Sequence, residues 1–74
     1  MTTIRYEPAT EFILTPNQVR HIRVMLGFNK RELAEKMGVT HNSVWRWEKG
    51  MTILSGDNAY KLAAMAAQGG IKYE

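Results

Sequence analysis

Residues 30–49 constrain the fold more than any other part of the chain, because they contain two short helical segments separated by a three-residue turn. Helices joined so tightly cross at a steep angle, which requires a small residue inside the first helix and a turn residue that tolerates positive φ. Ala34 and Gly38 occupy these positions. The side chains expected to point into a shared core are Leu33, Met37, Val39, Val44 and Trp47.

Capping residues predict a further helix before this pair. Thr15 and Pro16 favour a helix start, because threonine caps a helix and proline is tolerated at its first position. The apolar face of this helix consists of Val19, Ile22 and Leu26, and Gly27 ends it. Asn29, followed by Glu32 three residues later, is a variant of the capping box that opens the next helix.

The third and fourth helices have signals of the same kind. Thr40 is expected to cap the third helix, which stops at Gly50. Residues 51–56 are expected to form a loop. Ser55 or Asp57 then caps a fourth helix that runs to about Gln68. The predicted fold class is therefore mainly α, a compact four-helix domain.

Both ends of the chain have the period of a β-strand. Ile4–Glu7 and Ile71–Glu74 alternate apolar and polar residues, and the apolar run Phe12–Leu14 is also compatible with extended structure. The sequence is therefore divided into an N-terminal arm (1–14), a helical domain (15–68) and a C-terminal tail (69–74), with both ends as possible strands.

The positive charge is concentrated in the middle of the chain. Residues 17–50 contain seven Lys and Arg against three Glu, whereas the rest contains three basic and four acidic residues. A segregated basic segment is typical of proteins that bind polyanions. Charge alone, however, favours an ordinary solvated surface.

The composition and the residue inventory argue against several other classes. A chain of 74 residues accommodates one modest core, and it has no cysteine and no apolar run long enough to span a membrane or serve as a signal peptide. These features favour a cytoplasmic protein. His21 and His41 lie on different elements without a carboxylate at catalytic or ligand spacing. We therefore expect no enzyme activity, no metal and no cofactor.

The middle of the chain resembles the lambda-repressor-like (Cro/C1-type) helix-turn-helix family. The resemblance covers about residues 15–68, and its most specific part is the pattern Leu33-Ala34-x-x-Met37-Gly38-Val39-x-x-x-x-Val44-x-x-Trp47-Glu48-x-Gly50. The sequence departs from the family at Lys30, where glutamine is usual, and at Trp45, where a small or polar residue is usual. The family fold is expected in spite of both departures.

The resemblance implies that the third helix enters the major groove of double-stranded DNA. It places base contacts at His41, Asn42 and Arg46, and phosphate contacts at Lys30 and Lys49. It also pairs Glu48 with Arg23 as a structural ion pair. Trp45 is a further candidate base contact because it faces outward, and the further candidates for phosphate contacts are Arg31, Thr40 and Ser43. Arginine and asparagine suit such roles, because they bond bidentately to guanine and adenine respectively. Thr40 and Ser43 have capping the helix as an alternative role.

Two features remain open at the level of sequence. Trp45 lies about 200° around the helix from the inward Trp47, so it faces outward and either packs on a thymine methyl or sugar or covers the edge of the core. The alanine-rich fourth helix has little polar face. Either solvent, residues 4–14 or another subunit covers it.

The combined hypothesis is a repressor of phage or mobile-element type that binds an inverted-repeat operator as a homodimer. Its expected dimer interface consists of Ile4, Tyr6, Phe12, Ile13 and Tyr60, through N-terminal arms exchanged between subunits. The alternatives are an antitoxin or other interaction module built on the same scaffold, and an RNA-binding protein. The first has few residues outside the domain for a partner, and the second lacks an aromatic cluster for stacking bases.

Overall fold

The structure is a computed structural model that describes residues 12–73. These residues form four helices and one small antiparallel sheet. The helices are α1 (Pro16–Leu26), α2 (Lys30–Met37), α3 (His41–Lys49) and α4 (Gly56–Gln68). The strands are β1 (Ile13–Leu14) and β2 (Leu54–Ser55), which pair with Leu14 opposite Leu54. The predicted four-helix, mainly α fold is confirmed.

The local signals that start the first helices act as the sequence predicts. The Thr15 hydroxyl accepts a hydrogen bond from the backbone N–H of Gln18 at 3.2 Å, and the Gln18 side chain accepts one from the Thr15 N–H at 2.9 Å. Asn29 and Glu32 form the same reciprocal pair at 2.7 and 2.8 Å. Each pair satisfies two of the N–H groups that a helix start leaves unbonded, so both boundaries are fixed by four residues.

The core lies where the four helices meet the inner face of the sheet. Its buried side chains are Leu14, Val19, Ile22, Leu33, Ala34, Met37, Val44, Trp47, Leu54, Ala59, Leu62 and Ala66. Every inward residue predicted for the central helix pair is buried except Val39, which is half-buried against the core. The predicted face of α1 is also correct, with Leu26 half-buried.

Residues 12–14 belong to the helical domain rather than to a separate arm, which corrects the boundary expected after residue 14. Leu14 is 2% exposed and lies in the core. The Phe12 ring stacks on Tyr60 of α4, with ring centroids 4.8 Å apart. Pairing with β2 brings this segment onto the domain, and a partner so distant in sequence leaves no local signal. Residues 1–11, including Ile4, Tyr6 and the rest of Ile4–Glu7, lie outside the described residues.

The segment predicted as the loop 51–56 also contains structure. It includes β2, and α4 already begins at Gly56, whose N–H donates to the Phe12 carbonyl at 3.1 Å. Ser55 occupies the N-cap position, as one of the two alternatives predicted, but its side chain makes no capping hydrogen bond. The sheet therefore helps to fix where α4 starts.

The C-terminal tail forms no strand over residues 71–73, so the alternation of Ile71–Glu74 is misleading there. Ile71 and Tyr73 are half-buried and pack against the core. His21 Nε2 of α1 lies 3.1 Å from the Lys72 carbonyl oxygen. Since Ile71 and Tyr73 rest on the helices, their alternation serves helix packing rather than sheet pairing. Glu74 lies outside the described residues.

Candidate nucleic-acid interface

The turn between α2 and α3 sets the geometry of the candidate site. Gly38 ends α2 in the left-handed region, with φ of 73°, and the Val39 N–H donates to the Ala34 carbonyl at 3.0 Å. Thr40 then caps α3 by accepting a hydrogen bond from the Ser43 N–H at 3.2 Å. These bonds stop one helix and start the next within three residues, so α3 is held at a fixed angle to α2.

The outer face of α3 presents polar and basic groups to solvent. Because Val44 and Trp47 are buried, the opposite side of the helix is left open. The exposed residues on that side are His41, Asn42, Trp45, Arg46 and Lys49. They include all four predicted base-contacting residues, which the structure brings together on one helical face.

Arg23 and Glu48 form a bidentate ion pair between α1 and α3. Arg23 Nε donates to Glu48 Oε2 at 2.6 Å, and Nη2 donates to Oε1 at 3.1 Å. The remaining nitrogen, Nη1, donates to the Phe28 carbonyl at 3.0 Å. The two side chains are only 13% and 6% exposed. The pair therefore anchors α3 to α1, and it also neutralises the one acidic side chain of α3.

The predicted phosphate-contacting residues border this face. Lys30 and Arg31 lie in the first turn of α2, the former half-buried and the latter exposed, and Lys49 lies in the last turn of α3. The Thr40 and Ser43 hydroxyl oxygens are 3.0 Å apart. Thr40 is thus already engaged as a helix cap, which is the alternative role that the sequence left open for it.

Two contacts in the neighbourhood of the site were not predicted. Lys61 Nζ of α4 donates to the Met37 carbonyl at 3.1 Å, at the end of α2. Lys36 Nζ lies 5.7 Å from the centre of the Phe28 ring. The Lys61 contact is favourable, because the last carbonyls of a helix lack intrahelical partners and attract a cation. Nothing in the sequence indicates that Lys61 lies there, since it is 24 residues from Met37.

Within residues 12–73, no group of three His, Asp or Glu side chains is placed to hold a metal ion. No helix in that range is long and apolar enough to cross a membrane.

A family model described as helix-turn-helix matches residues 19–65. The chain belongs to the lambda-repressor-like helix-turn-helix family. This match covers most of α1, all of α2 and α3 and most of α4, so it includes the whole candidate surface. Membership of this helix-turn-helix family, whose domains bind DNA, makes the chain a DNA-binding transcription regulator. No curated protein and no solved structure matches the chain significantly.

Proposed function

We propose that this protein is a repressor that binds an inverted-repeat DNA operator as a homodimer, with α3 in the major groove of each half-site. The observation that carries the proposal is the outer face of α3, where groups suited to base edges lie side by side on a rigidly held helix. Major-groove edges present distinct donor and acceptor patterns, so such a face supports sequence-specific reading.

Arg46 and Asn42 are the principal base-reading residues in this proposal. Both are exposed, and neither makes a hydrogen bond to another described side chain. Arg46 therefore has its guanidinium available for the O6 and N7 atoms of a guanine, and Asn42 has its amide for an adenine. His41, in the first turn of α3, is placed to donate to a base acceptor or a phosphate.

Phosphate contacts come from both ends of the helix pair. Lys30 and Arg31 lie beside the start of α2, whose free N–H groups and dipole also favour an anion. Ser43 and Lys49 supply a hydroxyl and a cation from α3, and Thr40 supplies its hydroxyl only in addition to its capping role. These contacts give affinity and register without sequence preference.

A homodimer follows from the size of the site. One recognition helix reads only a few base pairs, which is too little to distinguish an operator from the many competing genomic sites. Two-fold symmetry doubles the site and produces an inverted repeat. With both α3 helices on one face of the duplex, the half-sites are about 10–10.5 base pairs apart.

Among the described residues, the edge of β1 away from β2 is unpaired, and this supports an interface there. The Phe12 carbonyl accepts from Gly56, so residues 12 and 14 direct their backbone groups toward β2 and Ile13 directs its own away. Ile13 is also 50% exposed. An exposed edge with apolar side chains is a template for another strand, and the segment Ile4–Glu7 has the alternation of one.

The proposal is tested by selecting bound duplexes from a random library at a fixed salt concentration, followed by affinity measurements on the selected duplex. Arg46→Ala should weaken specific binding by about 1–3 kcal/mol and relax the preference at one base position in each half-site. Lys49→Ala should weaken binding to all duplexes and lower the salt slope by roughly one unit.

Arg20→Ala is the matched control, because Arg20 is an exposed arginine on α1, outside the proposed surface. It should leave the selected sequence unchanged. Recovery of no preferred duplex, or an Arg46→Ala variant with unaltered affinity and preference, would contradict the placement of α3 in the groove.

A further inference from the structure

Trp45 is a large apolar side chain in the middle of the otherwise polar face of α3. We propose that its indole ring packs on the 5-methyl group of a thymine in each half-site and so makes that position specific for thymine. The inference rests on the proposed function, since it requires α3 to lie in the major groove.

The helical register places Trp45 among the reading residues. It lies one turn after His41 and one turn before Lys49, so these three residues form a row along the helix. Asn42 and Arg46 form the adjacent row. Trp45 is 37% exposed, whereas the inward positions of α3 are filled by Val44 and Trp47. The accessible part of Trp45 therefore belongs to the outer surface of α3.

A neighbouring cation restrains the ring. Lys49 Nζ lies 5.9 Å from the centre of the Trp45 ring, within the range in which an ammonium group is attracted to an aromatic face. This contact limits the conformations of both side chains before DNA binds.

The chemistry of the groove selects the partner of the ring. Base edges in the major groove consist of hydrogen-bonding groups, with the thymine methyl as their apolar feature. An indole ring has one polar handle, its Nε1–H donor, and is otherwise apolar. Placing the ring against polar edges would desolvate them without hydrogen bonds, whereas placing it against a methyl group buries apolar surface on both sides.

The test replaces each thymine of the selected duplex with deoxyuridine, which removes the methyl group and keeps the O4 acceptor. Wild-type protein should bind about 15-fold more weakly when one symmetry-related pair of thymines is replaced, which is about four-fold for each of the two buried methyl groups. Trp45→Ala should bind the thymine and deoxyuridine duplexes equally. Trp45→Phe, which keeps an aromatic ring, should retain part of the difference. Circular dichroism establishes that each variant is folded.

Val24→Ala is the matched control, because it removes an exposed apolar side chain from α1 rather than from α3. It should preserve the full thymine effect.

Equal binding of wild-type protein to every replaced duplex would overturn the inference, as would a Trp45→Ala variant that still discriminates. Equal binding by wild-type protein would show that the Trp45 ring contacts DNA through its Nε1–H group or not at all. Discrimination by Trp45→Ala would show that another residue contacts the methyl group. A preferred duplex that depends on Arg46 but on no thymine methyl removes this inference alone. A library without any preferred duplex removes the proposed function together with it.

Discussion

At the scale of single residues, the ion pair of Arg23 and Glu48 shows how one contact serves both the fold and the site. All three kinds of guanidinium nitrogen donate, two to the carboxylate and one to the Phe28 carbonyl. Breaking such a pair leaves a nearly buried charge without its partner, which costs more than the intact pair contributes. The contact therefore makes α3 dependent on α1 for its position.

Glu48→Ala should lower the free energy of unfolding by about 1–3 kcal/mol, because Arg23 stays 13% exposed and loses two acceptors. Glu48→Gln should have a smaller effect, since its amide oxygen still accepts one bond. Urea denaturation measures both. Glu35→Ala, on the exposed side of α2, is the matched control and should change stability by no more than about 0.5 kcal/mol. Equal stability of Glu48→Ala and Glu35→Ala would show that the pair is energetically silent.

At the scale of elements, the turn after α2 depends on the backbone of Gly38 rather than on the space around it. Apart from the adjacent residues of the chain, no atom lies within 4 Å of the place a Cβ atom would take, so only the positive φ of 73° disfavours a side chain. The left-handed conformation costs an L-residue roughly 1–2 kcal/mol, with asparagine more tolerant than alanine.

Gly38→Ala should therefore destabilise the domain by about 1–2 kcal/mol, and Gly38→Asn should destabilise it less. Thermal unfolding followed by circular dichroism measures the difference between the two variants. The order of the two is the informative result. If alanine proved as stable as glycine, or asparagine were worse than alanine, then backbone conformation would not be what Gly38 provides.

The same distinction between local and distant causes explains how much of the structure the sequence predicts. Helix starts at Thr15, Asn29 and Thr40 depend on side chains within three residues of the backbone groups they bond, so the sequence shows them directly. The grouping of residues on α3 follows from the helical period. In contrast, β1 and β2 each contain two residues, and only their pairing across the chain makes them strands. Such pairing, like the packing of Ile71 and Tyr73, has no local signature.

At the scale of the whole molecule, the proposed dimer makes the N-terminal residues part of DNA recognition. The exposed apolar side chains of the described residues include Ile13 on β1, Ile53 just before β2 and Tyr60 on α4. Among these residues, the edge of β1 away from β2 is unpaired. Residues 1–11 precede Phe12 in the sequence. An arm that adds Ile4–Glu7 to the β1 edge of a second copy would cover Ile13 in both subunits and satisfy its outward backbone groups.

The double variant Ile4→Ser with Tyr6→Ser should therefore weaken dimerisation without changing the net charge. Sedimentation at tens of micromolar should show a dimer for the full wild-type chain and a shift toward monomer for the variant. The variant should also lose affinity for the inverted repeat while its weaker binding to a single half-site is unchanged, because α3 itself is intact.

Arg5→Ala with Glu7→Ala is the matched control, since it removes the other face of the alternation and also conserves net charge. It should remain dimeric. A monomeric wild-type chain would exclude the dimer, and a double variant that still dimerises and binds the full operator normally would place the interface elsewhere on the molecule.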